Sequence, residues 1–205
     1  MDKKKEEILK SAIELFSKYS IRSVSMDDIC RELSISKKTL YKYYRSKNDL
    51  LNGILEQKSA EIDSIIEKAY TEQNNAIDKL MDITRKLGEY LGEIHKVPSI
   101  KFDMYKYYPE LMQKFGEKRQ KKVAEYLINN IKEGVQQGLF REGMDVEIVA
   151  MLFIKRMEEV SDPEMNKETG FSMKKVFKVM IENHIRGISN NKGIQYFEEN
   201  YYKNS

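Results

Sequence analysis

Apolar residues recur along this chain at spacings of three and four, which is the period of an amphipathic α-helix. One apolar face runs through residues 8–19, a shorter one lies at Ile29 and Leu33, and a third spans residues 50–66. No segment alternates between apolar and polar residues, so strands are not expected. Few positions interrupt the pattern, because 205 residues include only 3 prolines and 10 glycines. The pattern predicts an all-α fold of about nine or ten helices.

The first fifty residues also indicate where helices begin. Ser25 and Ser46 are each followed three residues later by an aspartate, and this pattern satisfies free amides in a helix's first turn. Ser36 is a third plausible N-cap. These signals predict helix starts near residues 26, 37 and 47. About three residues join the second helix, ending near Leu33, to the third, so the pair is expected to form a helix-turn-helix.

The third of these helices, residues 37–44, lies in a segment rich in cations and tyrosines. Residues 34–51, SISKKTLYKYYRSKNDLL, contain four lysines, one arginine and three tyrosines. At about 100° per residue, Leu40 and Tyr44 fall on one side of the helix, and Lys38 and Lys42 point the opposite way. The outward side is therefore cationic, with a hydroxyl and an aromatic edge beside the cations.

Two interpretations of this outward side compete. Most lysine-rich helices are solvated surfaces, and the lysines alone favour that interpretation. The short turn, the capped helices and the outward Tyr41 favour a recognition helix. Its cations would pair with phosphates, and its tyrosine would reach base edges or thymine methyl groups in a major groove. We therefore predict that the partner is a double-stranded DNA operator.

Charge is distributed unevenly along the chain. Residues 1–50 carry 12 Lys and Arg against 8 Asp and Glu, whereas the remaining 155 residues carry 24 against 25. The basic excess therefore lies in the first quarter of a chain whose net charge is only +3. Many solvated helices are equally basic, so charge alone is weak evidence for a polyanionic partner.

Composition also bears on where the protein works. The single cysteine, Cys30, excludes an internal disulfide and agrees with a reducing cytoplasm. We expect it to pack as a small apolar residue under the crossing of helices two and three. The lysine-rich start lacks the features of a secretory signal, and no apolar run approaches the roughly 18 residues of a membrane span. We predict a cytoplasmic protein with no membrane partner.

Residues 23–51, SVSMDDICRELSISKKTLYKYYRSKNDLL, resemble the DNA-binding signature of TetR/AcrR-type bacterial transcriptional regulators, in a match running from about Lys4 to Leu55. The resemblance implies a helix-turn-helix DNA-binding domain over residues 1–47. It implies a larger helical ligand-sensing and dimerisation domain over residues 48–205, and a homodimer on a palindromic operator. The residues that would hold phosphates are Ser25, Ser36, Thr39, Tyr43 and Lys47. Those that would face the groove are Lys37, Lys38, Tyr41 and Lys42.

This chain departs from the family pattern at four positions. Ser34 stands where the family usually has the glycine of the turn, and Ser20 replaces another common glycine after helix one. Serine tolerates a left-handed backbone less well than glycine, at a cost of roughly 1 kcal/mol. Cys30 replaces a usual alanine and Tyr44 a usual phenylalanine, and both changes are compatible in size.

Two further sites are expected in the remaining three quarters of the chain. A pocket for a small-molecule effector would lie among helices spanning roughly residues 75–135. Its candidates combine apolar bulk with polar tips, and they are Tyr90, His95, Met104, Tyr105, Tyr108 and Tyr126. In the resembled family, a terminal helix pair like that near 145–160 and 172–188 packs against its twin. The apolar candidates for this dimer interface are Leu152, Phe153, Met157, Phe177, Met180 and Ile181. Ordinary core or surface positions are the alternative for both sets.

Residue patterns for catalysis and metal binding are weak. His95 and His184 are isolated, and no nucleophile lies beside a base, so we expect no metal, no cofactor and no enzymatic activity. The leading hypothesis is a ligand-responsive transcriptional regulator, most often a repressor in the resembled family. The alternative is a helical protein–protein interaction module whose helix-turn-helix is structural. The sequence does not specify the operator, the effector, or repression against activation.

Overall fold

The computed structural model describes residues 2–72, 75–94, 98–160 and 170–201. Within these ranges it contains ten α-helices and no strand, which confirms the predicted all-α fold. They are α1 (Lys3–Tyr19), α2 (Met26–Glu32), α3 (Lys37–Tyr43), α4 (Lys47–Glu72), α5 (Ala76–Ile94), α6 (Pro98–Tyr107), α7 (Pro109–Gln136), α8 (Val146–Val160), α9 (Met173–Ile188) and α10 (Asn191–Tyr201). None of the described helices is both long and apolar enough to cross a membrane.

The predicted helix starts at residues 26, 37 and 47 are confirmed. The Asp28 amide donates to Ser25 Oγ, and the Asp28 carboxylate accepts from the Ser25 amide, so a complete capping box opens α2. Ser36 Oγ accepts from the amide of Thr39 at 3.1 Å and so caps α3. N-terminal caps of this kind typically stabilise a helix by about 1 kcal/mol. Local hydrogen bonds therefore explain why these short helices begin where they do.

The chain forms two compact units. The first comprises Met1–Ile62 and Ile94–Lys118, and the second comprises Asp63–Glu93 and Arg119–Ser205. Helices α4 and α7 each contribute residues to both units. Packing thus groups α6 with the N-terminal helices. The functional division at residue 47 stays a prediction.

The core of the first unit is built from five helices. Phe16 of α1, Ile29 of α2 and Leu40 of α3 are completely buried, together with Leu50 of α4. Met104 of α6 is buried in the same cluster. Complete burial of such a side chain contributes about 1.5–3 kcal/mol each. The helix-turn-helix therefore rests on a shared apolar core rather than on the short helices themselves.

The tyrosine found in place of the usual phenylalanine packs against a glycine. The Tyr44 side chain is buried, and a Cβ atom added at Gly53 of α4 would lie 2.7 Å from the Tyr44 ring. Because real Cβ contacts are not that short, only glycine leaves room for the ring at this position. Burial raises the pKa of the Tyr44 hydroxyl.

The polar groups of the second unit connect helices that are distant in sequence. Tyr196 and Tyr201 of α10 both donate to the carboxylate of Asp78 on α5, at 2.8 and 2.7 Å. Lys79 donates to both carboxylate oxygens of Glu133 on α7, at 2.6 and 2.8 Å. These contacts attach the C-terminal helix and α7 to α5.

Candidate nucleic-acid interface

A serine whose backbone adopts the left-handed conformation makes the tight turn between α2 and α3. Ser34 has a φ of 50°, which confirms the strained backbone expected where the family pattern has glycine. The Ser34 amide donates to the carbonyl of Arg31 and the Ile35 amide to the carbonyl of Cys30. This pair of bonds is the Schellman arrangement, which satisfies the last carbonyls of a helix. The turn ends α2 and leaves two residues before α3 begins.

Helix α3 separates its side chains as the sequence predicted. Leu40 is completely buried and Tyr44, its C-cap, is nearly so. Lys38 and Lys42 are exposed, and Tyr41 keeps 44% of its surface accessible. An exposed aromatic ring among cations, carried by a helix whose opposite side is packed, is suited to contact with a polyanion.

The remaining predicted phosphate residues lie around the ends of the helices. Ser25 and Ser36 are exposed N-caps of α2 and α3, whereas Thr39 and Tyr43 are half-buried. The hydroxyls of Ser36 and Thr39 lie 2.8 Å apart and hydrogen-bond to each other. From Ser36 to Lys47 the chain carries five cations and no acidic residue. The structure thus brings the predicted DNA-binding residues together in the helix-turn-helix and at the start of α4.

One of the cations predicted to face the groove is already paired within the protein. Lys37 Nζ lies 2.7 Å from a carboxylate oxygen of Asp27 on α2, and both side chains are exposed. The hydrogen bond to Asp27 raises the pKa of Lys37. Sequence reasoning missed this aspartate. The Ser25 pattern assigned only Asp28 to the cap, and the pairing of residues 27 and 37 depends on how α2 and α3 cross.

Lys47 has a structural contact as well as a predicted phosphate role. Its ammonium donates to the carbonyl of Val24 at 2.5 Å and lies 5.8 Å from the centre of the Phe16 ring. Partial burial lowers the pKa of this amine. The side chain therefore ties the start of α4 to the loop between α1 and α2, and no local sequence pattern signals this.

The predicted effector residues are distributed over both units. Tyr90 and Tyr126 belong to the second unit. Met104, Tyr105 and Tyr108 belong to the first unit. There, Met104 is buried in the core and Tyr105 is exposed. His95 lies outside the described residues.

The predicted dimer residues divide between core and surface. Phe153, Phe177, Met180 and Ile181 are buried within the second unit, and Met157 is half-buried against the same core. Leu152 is 57% exposed. Three apolar side chains that were not predicted are exposed on the same two helices, namely Ile148, Met151 and Val179. The helical period shows which positions share a face, but only packing shows which face a core covers.

Within the part of the chain that the structure describes, no group of three or more His, Cys, Asp or Glu residues is placed to hold a metal ion.

Comparison with known proteins identifies the family. Residues 8–54, which include α2, the turn and α3, match the family described as bacterial regulatory proteins, tetR family. The fatty acid metabolism regulator protein of Bacillus subtilis (strain 168) is 21% identical over 185 residues, covering 90% of this chain and 95% of that protein. The chain belongs to the TetR family. It is a DNA-binding transcriptional regulator.

Solved structures of TetR-type regulators share this fold over nearly the whole chain. The fatty acid degradation regulator FadR from Bacillus halodurans aligns with a TM-score of 0.70 at 18% identity, covering 90% of this chain and 95% of that one. FadR from Bacillus subtilis, solved in complex with stearoyl-CoA, aligns with a TM-score of 0.68 at 20% identity, covering 89% and 98%. At these identities the likeness concerns the fold. The roles of individual residues in this TetR-family protein rest on its own geometry.

Proposed function

We propose that this TetR-family protein is a cytoplasmic homodimeric repressor that binds a palindromic operator and leaves it when a small amphipathic effector binds. One observation carries the proposal. Helix α3 presents Lys38, Tyr41 and Lys42 to solvent from a scaffold in which Leu40 is completely buried. A recognition helix needs this combination of exposed base-reading side chains and a rigid packed side.

The DNA contacts divide into two roles. Side chains at the helix ends, at Ser25, Ser36, Thr39, Tyr43 and Lys47, hold phosphates and fix the position of the domain. Side chains on the outward face of α3, at Lys37, Lys38, Tyr41 and Lys42, enter the major groove and read bases. Phosphate contacts supply affinity for any duplex, whereas base contacts supply preference for one sequence.

Homodimerisation is proposed because a seven-residue recognition helix makes too few contacts for useful specificity. A two-fold pair doubles them and requires half-sites about 34–36 Å apart. Helices α8 and α9 are favoured as the interface because they expose the apolar side chains of Ile148, Met151, Leu152 and Val179. In a two-fold dimer the same patch of each subunit meets its copy, so both patches would be buried together. Sedimentation should detect twice the 24.2 kDa chain mass at micromolar concentration. A stable monomer, unchanged by DNA, contradicts this part.

The effector is proposed to be amphipathic and mostly apolar. The related Bacillus subtilis FadR was solved in complex with stearoyl-CoA, an amphipathic acyl thioester. Helix α4 begins beside the helix-turn-helix and supplies residues to the second unit, so a ligand that shifts its far end alters the position of α3. Loss of the required half-site spacing would weaken phosphate and base contacts together. Effector and operator must then oppose each other reciprocally.

The decisive experiment is selection of bound duplexes from a random pool with purified full-length protein. We expect a palindromic consensus, with an affinity that falls steeply as salt rises. Titration of that duplex with and without acyl-CoA ligands then tests release. An interaction module with a purely structural helix-turn-helix would enrich no sequence and would bind a partner protein instead. A ligand that binds free and operator-bound protein equally would exclude the release mechanism.

A further inference from the structure

Arg119 is a half-buried cation without an ion-pair partner among the residues that the structure describes. It lies on α7 in the second unit, where Asp63 of α4 and Tyr90 of α5 are close enough to act on it electrostatically. The Asp63 carboxylate forms an ion pair with Lys122, whose Nζ atom lies 2.6 Å from one carboxylate oxygen. Burial outweighs both neighbours and lowers the pKa of the Arg119 guanidinium.

Two other cations of this unit that are at least partly buried are paired. Lys79 is buried against both carboxylate oxygens of Glu133, and Lys86 lies 2.7 Å from a carboxylate oxygen of Asp82. A buried charge is normally paired because leaving it unpaired carries a large desolvation cost. Arg119 is half-buried and has no ion-pair partner among the described residues, which leaves its guanidinium available to an anion.

The surroundings of Arg119 suit one end of an amphipathic molecule. Arg119, Lys122 and Tyr126 recur at spacings of three and four, so they share one face of α7. The rings of Tyr126 and Tyr70 lie 5.7 Å apart, centre to centre, and the Tyr70 hydroxyl donates to the carbonyl of Tyr126. An arginine fork with Tyr90 in its vicinity matches a planar carboxylate or a phosphate in geometry and in charge.

We propose that Arg119 binds the anionic group of the effector, a carboxylate or a phosphate, while tyrosines of the same unit contact the apolar part. This inference rests on the proposed function, since it assigns the effector site to the second unit. It adds that the effector is an acid rather than a neutral apolar molecule.

The test compares three probes that share one chain length. Calorimetric titrations of the full-length protein would use laurate, lauroyl-CoA and methyl laurate. The variants are Arg119→Gln, Arg119→Lys and, as a matched control, Lys121→Gln, which removes an exposed cation two residues away on the same helix. We expect Arg119→Gln to weaken the anionic probe about 10- to 100-fold, as loss of a charge-assisted hydrogen bond does.

Binding of methyl laurate should change by less than about twofold, Arg119→Lys should lose less than Arg119→Gln, and the control should behave like wild type. A loss confined to laurate identifies the carboxylate, and a loss confined to lauroyl-CoA identifies the phosphates. Arg119→Gln should also raise the thermal midpoint of the ligand-free protein, because it removes a half-buried charge that has no ion-pair partner. A purely structural arginine predicts a lower midpoint.

Three results would overturn the inference. The first is that neither anionic probe binds wild type. The second is that Arg119→Gln loses affinity for all three probes equally. The third is that Arg119→Gln lowers the thermal midpoint of the ligand-free protein and leaves the probe preference unchanged. Operator binding is measured separately. If wild type selects no duplex, the proposed function fails while the preference for anions still stands. If a duplex is selected and Arg119→Gln keeps full anion affinity, only this inference fails.

Discussion

The bonds that begin the helices of the helix-turn-helix and the bonds that join helices within the second unit differ in how far apart in sequence their partners lie. In the helix-turn-helix, the bonds that begin α2 and α3 join residues three positions apart, as between Ser25 and Asp28. In the second unit, the Lys79–Glu133 pair spans 54 residues and the bond from Tyr196 to Asp78 spans 118. Short-range bonds can be recognised in a sequence, whereas long-range ones cannot. This contrast explains why the DNA-binding element was predictable from the sequence and the sensing region largely was not.

The largest expected effect is loss of the first unit's core. Leu40→Ala should lower the free energy of unfolding by about 2–5 kcal/mol, because a completely buried leucine leaves a cavity. DNA binding should be lost with it. Urea denaturation and operator titration measure both effects. Phe102→Ala, at a 61% exposed position in the same unit, is the control and should change stability little. Equal shifts in the two variants would contradict the described packing.

The second unit should be the more acid-sensitive one because of His184. Its ring lies 4.2 Å from that of Phe153, and burial, aided by the charge of Arg156, lowers its pKa to about 4. The folded pKa lies below the unfolded value of about 6.5. Neutral His184 therefore stabilises the fold fully above pH 6.5, and this stabilisation is lost as pH falls towards 4. The loss in the free energy of unfolding is on the order of 2–3 kcal/mol.

Urea unfolding from pH 4 to 7 measures this slope. His184→Phe should flatten it by removing the titrating group while keeping an aromatic ring against Phe153. A slope that is unchanged in this variant would mean that other groups cause the acid sensitivity.

Tyr41 and Lys47 should weaken operator binding in different ways. Tyr41→Ala should reduce discrimination between base sequences by about 1–3 kcal/mol if the ring makes a good groove contact. Lys47→Ala should weaken all duplexes alike and flatten the salt dependence. It should also lower stability, because the carbonyl of Val24 loses its donor. Titrations against selected and random duplexes measure this division of roles. Identical losses of affinity for both kinds of duplex in both variants would refute it.

The smallest expected effect lies in the turn. Ser34→Gly should raise the free energy of unfolding by roughly 1 kcal/mol, because glycine adopts the positive φ of 50° without a Cβ penalty. Ser34→Ala is the control and should show no gain, since alanine keeps the Cβ atom. Thermal unfolding distinguishes the two. Equal midpoints for the glycine and alanine variants would show that the backbone at Ser34 is not strained in solution.

Sequence reasoning reached as far as local interactions extend. The helix starts, the inward Leu40 and the outward Lys38 follow from caps and from the helical period, and the structure has all three. The ligand candidates show the limit, because Met104 has the composition of a pocket residue yet is buried in the first unit's core. Periodicity identifies a face of a helix but not its neighbour.

By itself, the sequence determined an all-α chain with a capped helix-turn-helix near its N-terminus, whose third helix exposes a cationic side. Only the tertiary structure decided that Lys47 bonds to Val24, that Asp27 pairs with Lys37, and that Arg119 is left without a partner among the described residues. The physical reason is range. Caps and helical faces depend on residues three or four positions apart. Ion pairs and burial depend on which distant helices pack together, and no local pattern encodes that.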